Sequence, residues 1–147
     1  MPQSLDHVLV HLVFSTKDRR PYLVDDVRPE LHAYLAGTVR ATGCVCLRVG
    51  GVEDHVHIAL RLSRTTSLAS LVEEVKTSSS RWLKSSSPDF AWQRGYGVFS
   101  VGPEGVDALV AYIDRQVEHH RTHTFQDEYR ALLDRCGVEY DERFVWD

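Results

Sequence analysis

Apolar and polar positions divide the chain into segments of two periods. Val8–Ser15 is almost unbroken in apolar residues, which predicts a central strand covered on both faces. From Pro29 to Ala41 the spacing turns helical through Leu31, Tyr34, Leu35 and Val39, and Gly43 marks its end. Cys44–Val49 reads as a second strand, Gly50-Gly51 opens a turn, and His55–Leu62 alternates as a third strand. Thr66 or Ser67 can cap a helix whose apolar positions Leu68, Leu71, Val72, Val75, Trp82 and Leu83 share one face, stopping before Pro88. Tyr96–Val101 predicts a fourth strand, Val106 to about His123 a third helix, and Phe125 to Cys136 a shorter helix before an aromatic tail. The order βαββαβ followed by helices predicts an α+β, ferredoxin-like domain with an antiparallel sheet and additional C-terminal helices. Helices on one face of such a sheet leave the other face free to bind, but the arrangement alone does not specify a function.

A chain of 147 residues has the size of one globular domain and predicts a single unit over residues 1–147. Cys44, Cys46 and Cys136 are odd in number, and Cys-x-Cys lacks the paired spacing of a zinc site. They read as reduced core thiols of a cytoplasmic protein. His7, His11 and Lys17 interrupt the first apolar run, and no other segment reaches membrane-spanning length, so a soluble, unexported chain is expected. A net charge of −4 argues at first against a nucleic-acid partner. Its distribution changes that picture. Residues 61–94 carry Arg61, Arg64, Lys76, Arg81, Lys84 and Arg94 against three acids, whereas residues 104–147 carry eleven acids against five arginines. The chain therefore has a basic middle and an acidic tail, a pattern that an ordinary solvated surface also produces.

The third strand carries the first candidate chemistry. Its alternation points Val56, Ile58, Leu60 and Leu62 one way and His55, His57 and Arg61 the other. Two imidazoles at i, i+2 on a strand can share one metal ion, although half-exposed strand histidines also occur with no ion. On the third helix, Val106, Leu109, Val110, Ile113 and Val117 form the buried stripe. Tyr112, Gln116, His119 and His123 share one flank and Asp107, Asp114 and Glu118 the other, so a phosphodiester can approach an edge without acids. Tyr112 and Gln116 lie one turn apart, with Cβ atoms roughly 5–6 Å from each other, so an amide oxygen can ligate a metal beside the phenol. Such a site suits transesterification at phosphorus. A phenol with a pKa of about 10 needs a cation or base to become a nucleophile, and a divalent ion polarises the phosphate. Ligation by His, His and Gln brings no negative charge, which leaves the ion's charge for the phosphate. A packing tyrosine beside a solvated glutamine is the plain alternative.

His55-Val56-His57 resembles the HUH motif of single-strand endonucleases, and Tyr112-x-x-x-Gln116 resembles the single-tyrosine motif of the transposases in that group. Met1–Leu5, His11–Lys17, Gly50-Gly51, Ser79–Trp82, Trp92–Val101, Gln116-x-x-His119-His120-Arg121, Phe125-x-x-Glu128-Tyr129 and Glu139–Arg143 extend the likeness over nearly the whole chain. The sequence is thus similar to the compact transposases of small bacterial insertion sequences, the REP-associated tyrosine transposase-like family. The resemblance implies that His55 and His57 bind Mg2+ or Mn2+ and that Gln116 completes the metal site, while His119 and His120 lie close enough in sequence to Gln116 to be alternative ligands. It implies that Tyr112 attacks a single-stranded DNA phosphodiester to give a 5′-phosphotyrosine and a free 3′-OH. It also implies recognition of DNA hairpins at element ends and a homodimer. Nitrogen-rich ligation favours manganese by affinity.

For DNA contacts, Lys76, Ser80 and Lys84 follow one another at i, i+4 on the second helix, a geometry suited to backbone phosphates or simply a solvated face. Lys76 and Arg81 are the expected contacts, with Arg94, Trp92 and Tyr96 available for charge and stacking. Trp82, on the apolar stripe, is expected in the core. The competing readings are a metal-dependent phosphodiesterase that uses water, and a non-catalytic or domesticated ferredoxin-like module that binds single-stranded nucleic acid.

Overall fold

The computed structural model describes residues 2–147. Strands β1 (Val8–Ser15), β2 (Val45–Gly51), β3 (His55–Leu62) and β4 (Gly97–Val101) form one antiparallel sheet in the order β2-β3-β1-β4. Helices α1 (Arg28–Ala41) and α2 (Leu68–Lys84) cross over between them, which gives the α+β, ferredoxin-like arrangement expected. Three further helices follow, α3 (Val106–Asp114), α4 (Gln116–His119) and α5 (Phe125–Arg135).

Local chemistry sets the element ends. Pro29 occupies the first turn of α1, where a missing N–H costs nothing. Ser67 caps α2, its hydroxyl accepting from the Ser70 amide at 3.1 Å. β1 is central, and its alternate residues enter two different cores. Val10, Leu12 and Phe14 pack with Val56, Ile58 and Leu60 of β3 against α1 and α2. On the opposite face Val13 joins Phe99, Phe125, Tyr129, Leu132 and Leu133. The second face is therefore not free, contrary to expectation. Helices α3 to α5 cover it, because α5 has an apolar stripe of its own to bury.

The third helix also departs from expectation, since it is not continuous to His123. Arg115 leaves helical geometry at φ −102° and ψ 19°, separating α3 from α4. The turn carries Gln116 into the interior and leaves Val117, expected in the buried stripe, 51% exposed. Among the cysteines, Cys44 is buried, Cys46 partly buried and Cys136 exposed just beyond α5, so only the first two are packed as expected. Trp82 lies at the core margin, stacked on Tyr34 with ring centroids 5.2 Å apart.

The two glycines at the end of β2 position α3 and the start of β3. A Cβ at Gly50 would lie 2.8 Å from the Ile113 carbonyl oxygen, so only glycine lets α3 settle this closely on the sheet edge. Gly51, at φ +154°, would place a Cβ 2.2 Å from the His55 carbonyl oxygen. β2 runs through both glycines, and the turn itself is Val52 to Asp54, immediately before the histidine pair.

Candidate active site

Period two on β3 carries His55 and His57 to the face that α3 to α5 cover, and both rings are fully buried rather than half-exposed. Each ring is held from behind. His55 Nδ1 lies 2.7 Å from Asp54 Oδ1, and His57 Nδ1 lies 2.7 Å from Nε2 of His11 on β1. His120, just beyond α4, donates through Nδ1 to the His123 carbonyl at 2.7 Å. The Nε2 atoms of all three then turn inward. His55, His57 and His120 approach Glu128 Oε1 at 3.2, 2.9 and 3.2 Å. Gln116 Oε1 lies 2.9 Å from His55 Nε2 and 3.0 Å from His120 Nε2.

The carboxylate of Glu128 comes from α5, and its other oxygen faces the phenol. Tyr112 donates its hydroxyl hydrogen to Glu128 Oε2, which also accepts from Gln116 Nε2 at 3.0 Å. The Tyr112 ring stands edge-on to His57 with centroids 5.7 Å apart. Tyr112, His55, His57 and Gln116 therefore converge within one chain. The edge of the tyrosine helix has no acid of its own, but α5 supplies one. Beside the expected donors of His55, His57 and Gln116 there is thus a carboxylate.

His119 stands outside the group formed by His55, His57, His120 and Glu128. It stacks on His123 at 4.6 Å and comes within 3.3 Å of Glu128 Oε2 without a hydrogen bond. Glu128, His11 and Asp54 were not among the expected site residues. A signal for the first exists in the sequence. Phe125, Glu128, Tyr129 and Leu132 share one helical face, and an acid on an apolar stripe is rarely buried unless it is partnered.

The electrostatics follow from burial against this network. Burial opposes protonation of His55, but hydrogen bonds to Asp54 and Glu128 outweigh it and raise its pKa to about 9. Burial lowers His57 to about 4 and His11 to about 3, so both rings are neutral at pH 7. For Glu128 burial works against the charge, yet hydrogen bonds from His120, His55 and His57 hold the carboxyl well below its usual range. Burial and the nearby Glu128 charge push the Tyr112 phenol upward.

A divalent cation fits this donor set. One nitrogen or oxygen from each of His55, His57, His120 and Glu128 lies within 4.8 Å of the others. With Nδ1 of His55 and His120 facing Asp54 and a carbonyl, each Nε2, once stripped of its proton, would turn a lone pair toward the acceptor oxygens of Gln116 and Glu128. Acceptors facing acceptors need a proton or a cation between them. Beside the site lies a cleft of about 480 Å³ bordered by Tyr112, His11, Phe99, Arg115 and Arg135.

A second, basic groove runs along α2. Arg81, Lys84 and Arg94 are exposed around it, with Thr77, Ser80 and Trp92 in its lining. Lys76 borders it, but its ammonium donates to the carbonyls of Gln93, Arg94 and Gly95 at 2.7, 3.2 and 2.7 Å. It is thus tied to the 93–95 loop rather than extended into solvent. Gln93 in turn accepts from the amide of Ser15, the residue paired with His55, so the groove adjoins the end of the sheet where the site begins.

The helix-flanked antiparallel sheet sets a buried histidine pair opposite a tyrosine, and comparison with known proteins identifies the family. The family model described as "Transposase IS200 like" matches residues 4–116, and the chain belongs to this transposase family. The resemblance read from the motifs is borne out. No curated protein matches the sequence. Among solved structures, a candidate transposase from Deinococcus radiodurans is 23% identical, with a TM-score of 0.64 over 79% of this chain and 95% of that one. A REP-associated tyrosine transposase bound to a REP hairpin is 14% identical, with a TM-score of 0.59 over 82% of this chain and 74% of that one. Both likenesses are of fold. Among the described residues no helix is long and apolar enough to cross a membrane.

Proposed function

We propose that this transposase cuts and rejoins single-stranded DNA through a 5′-phosphotyrosine on Tyr112, with Mg2+ or Mn2+ held by His55, His57 and Glu128 and with Gln116 and His120 as further donors. The observation that carries this reading is the two-sided carboxylate of Glu128, which meets the three Nε2 atoms through one oxygen and the Tyr112 hydroxyl through the other.

In the reaction the phenolic oxygen forms a bond to phosphorus, the bond from phosphorus to the 3′ oxygen breaks, and the departing 3′ oxygen takes a proton from solvent to become the free 3′-OH. Glu128 Oε2 already accepts the phenolic hydrogen and is placed to receive the proton as that bond forms. Gln116 steadies the same oxygen through its amide. A bound divalent ion supplies positive charge that offsets Glu128 and polarises the phosphodiester. The phosphotyrosine conserves the bond for rejoining when a 3′-OH attacks in reverse.

The substrate class is single-stranded DNA bearing hairpins, a reading supported by the fold relative bound to a REP hairpin. Arg81, with Lys84 and Arg94, is the phosphate contact in the basic groove, and Lys76 supports that groove by fixing its loop. Exposed Val45 and Leu47 on edge strand β2 suit a second copy, in keeping with the homodimer the resemblance implies and with action in the cytoplasm. Because Tyr112 meets the histidine pair within one chain, cleavage in cis needs no residue from the second copy.

The test is a denaturing gel of the chain incubated with Mn2+ and a labelled single-stranded hairpin oligonucleotide. A covalent protein–DNA band is expected from the wild type and none from Tyr112→Phe. Cleavage that survives this substitution would instead identify water as nucleophile, and binding without cleavage would identify a binding module.

A further inference from the structure

We infer that His11 is a positioning residue for the metal site, holding His57 in the tautomer and orientation in which Nε2 faces the ion. The inference rests on the metal-assisted function proposed for this site, and goes beyond it by assigning a role to a residue on a different strand that lies behind His57.

His11 interrupts the apolar run of β1 at a position pointing to the site face, 4% exposed, between the aliphatic Leu9 and Val13. Packing alone would be served as well by a third aliphatic side chain. Its Nε2 instead lies 2.7 Å from His57 Nδ1, with the two rings nearly parallel at 21° and centroids 5.0 Å apart. His57 is fully buried, so no water can replace this partner. When His57 Nε2 donates its lone pair to a cation, the ring hydrogen must sit on Nδ1, and His11 Nε2 is the acceptor in line to receive it. His55 has the equivalent support in Asp54, 2.7 Å behind its own Nδ1. The pair is therefore braced asymmetrically, by a carboxylate behind one ring and an imidazole behind the other. A second carboxylate behind His57 would add another negative charge next to Glu128, and the phosphate would then meet a less positive centre. The imidazole orients the ring without that charge.

The test combines Mn2+ affinity, read by electron paramagnetic resonance at fixed pH, with nitrogen-15 NMR of the Mg2+-loaded chain. His11→Phe keeps a ring in the space and removes the acceptor. It should weaken Mn2+ binding by about 10–100-fold, the usual effect of losing such a partner. His11→Gln, whose amide oxygen can stand where Nε2 stood, should recover most of the loss. In the loaded wild type, a coupling through the hydrogen bond should join His57 Nδ1 to His11 Nε2, with the proton on His57. That spectrum decides the matter even if the phenylalanine variant does not fold. Unchanged Mn2+ affinity in a folded His11→Phe chain, equal weakening in both variants, or no such coupling would overturn the role of His11 while leaving the proposed function in place. A wild-type chain that takes neither ion would overturn the proposed function, and this inference with it.

Discussion

Tyr112 donates its hydroxyl hydrogen to Glu128, sixteen residues away on another helix, and the carboxylate's second oxygen lies 2.9 Å from His57 Nε2. Nucleophile and metal site are thus joined through one side chain. Glu128→Gln keeps the shape of this junction and removes its charge. Mn2+ affinity should fall about tenfold or more, since ligand charge sets much of the affinity for hard cations. The Tyr112 pKa should move down toward its ordinary value, because part of its upward shift comes from the Glu128 charge. Metal titration and a carbon-13 NMR titration of the tyrosine ring check the two effects.

The pH dependence of metal uptake follows from His55. Its pKa in the folded, metal-free chain is raised to about 9, so near pH 7 the ion must displace a proton there. Mn2+ binding at pH 7 should release about one proton, and affinity should rise by up to about tenfold per pH unit toward pH 9 and then level off. The same shift bears on stability without metal. A folded pKa above the unfolded value of about 6.5 contributes stability that is full below about pH 6.5 and is lost as pH rises through about 9. Calorimetry in buffers of different ionisation enthalpy and denaturant titrations across this window check both statements.

Gly50 should tolerate no side chain. In Gly50→Ala the added methyl meets the side chain and the carbonyl oxygen of Ile113 on α3. Overpacking of this kind costs about 1–3 kcal/mol, and a domain of this size loses about 2–4 °C of midpoint per kcal/mol. Thermal denaturation followed by circular dichroism measures the loss. Adduct formation should drop further than stability alone accounts for, because the shifted helix carries Tyr112.

Arg81→Ala and Arg94→Ala should each weaken single-stranded DNA binding at low salt and lower the slope of log affinity against log salt by about 0.7. Lys76→Met should act differently. It strips the donor from three loop carbonyls, so its main effect should be a lower unfolding midpoint. Fluorescence anisotropy at several salt concentrations, beside thermal melts, separates the two behaviours.

Periodicity made the scaffold legible. The alternation of β3 put His55 and His57 on one face, because regular elements fix side-chain direction from spacing alone, whereas the helical spacing that set Tyr112 beside Gln116 ran across the break at Arg115. What periodicity could not convey was the closure of the second face. No glycine or proline at Arg115 announces the break that turns Gln116 inward, and the approach of α5 is a tertiary event decided by where Phe125, Tyr129, Leu132 and Leu133 find apolar surface. Glu128 was visible as an acid on that stripe, but its partners lie far away in the chain. His11 was likewise visible as a polar residue in an apolar strand, and its meaning depended on which residue of β3 it would face. The register answers that, placing Val13 opposite His57 and His11 two residues along the same face.

Crystals soaked in Mn2+ and measured at the manganese absorption edge test the convergence of imidazoles, carboxylate and phenol most directly. The account predicts a single anomalous peak at coordinating distance from Nε2 of His55, Nε2 of His57 and a Glu128 oxygen, with the Tyr112 hydroxyl beside it. A peak that leaves out either histidine, or a saturated crystal with no peak in this site, would contradict it.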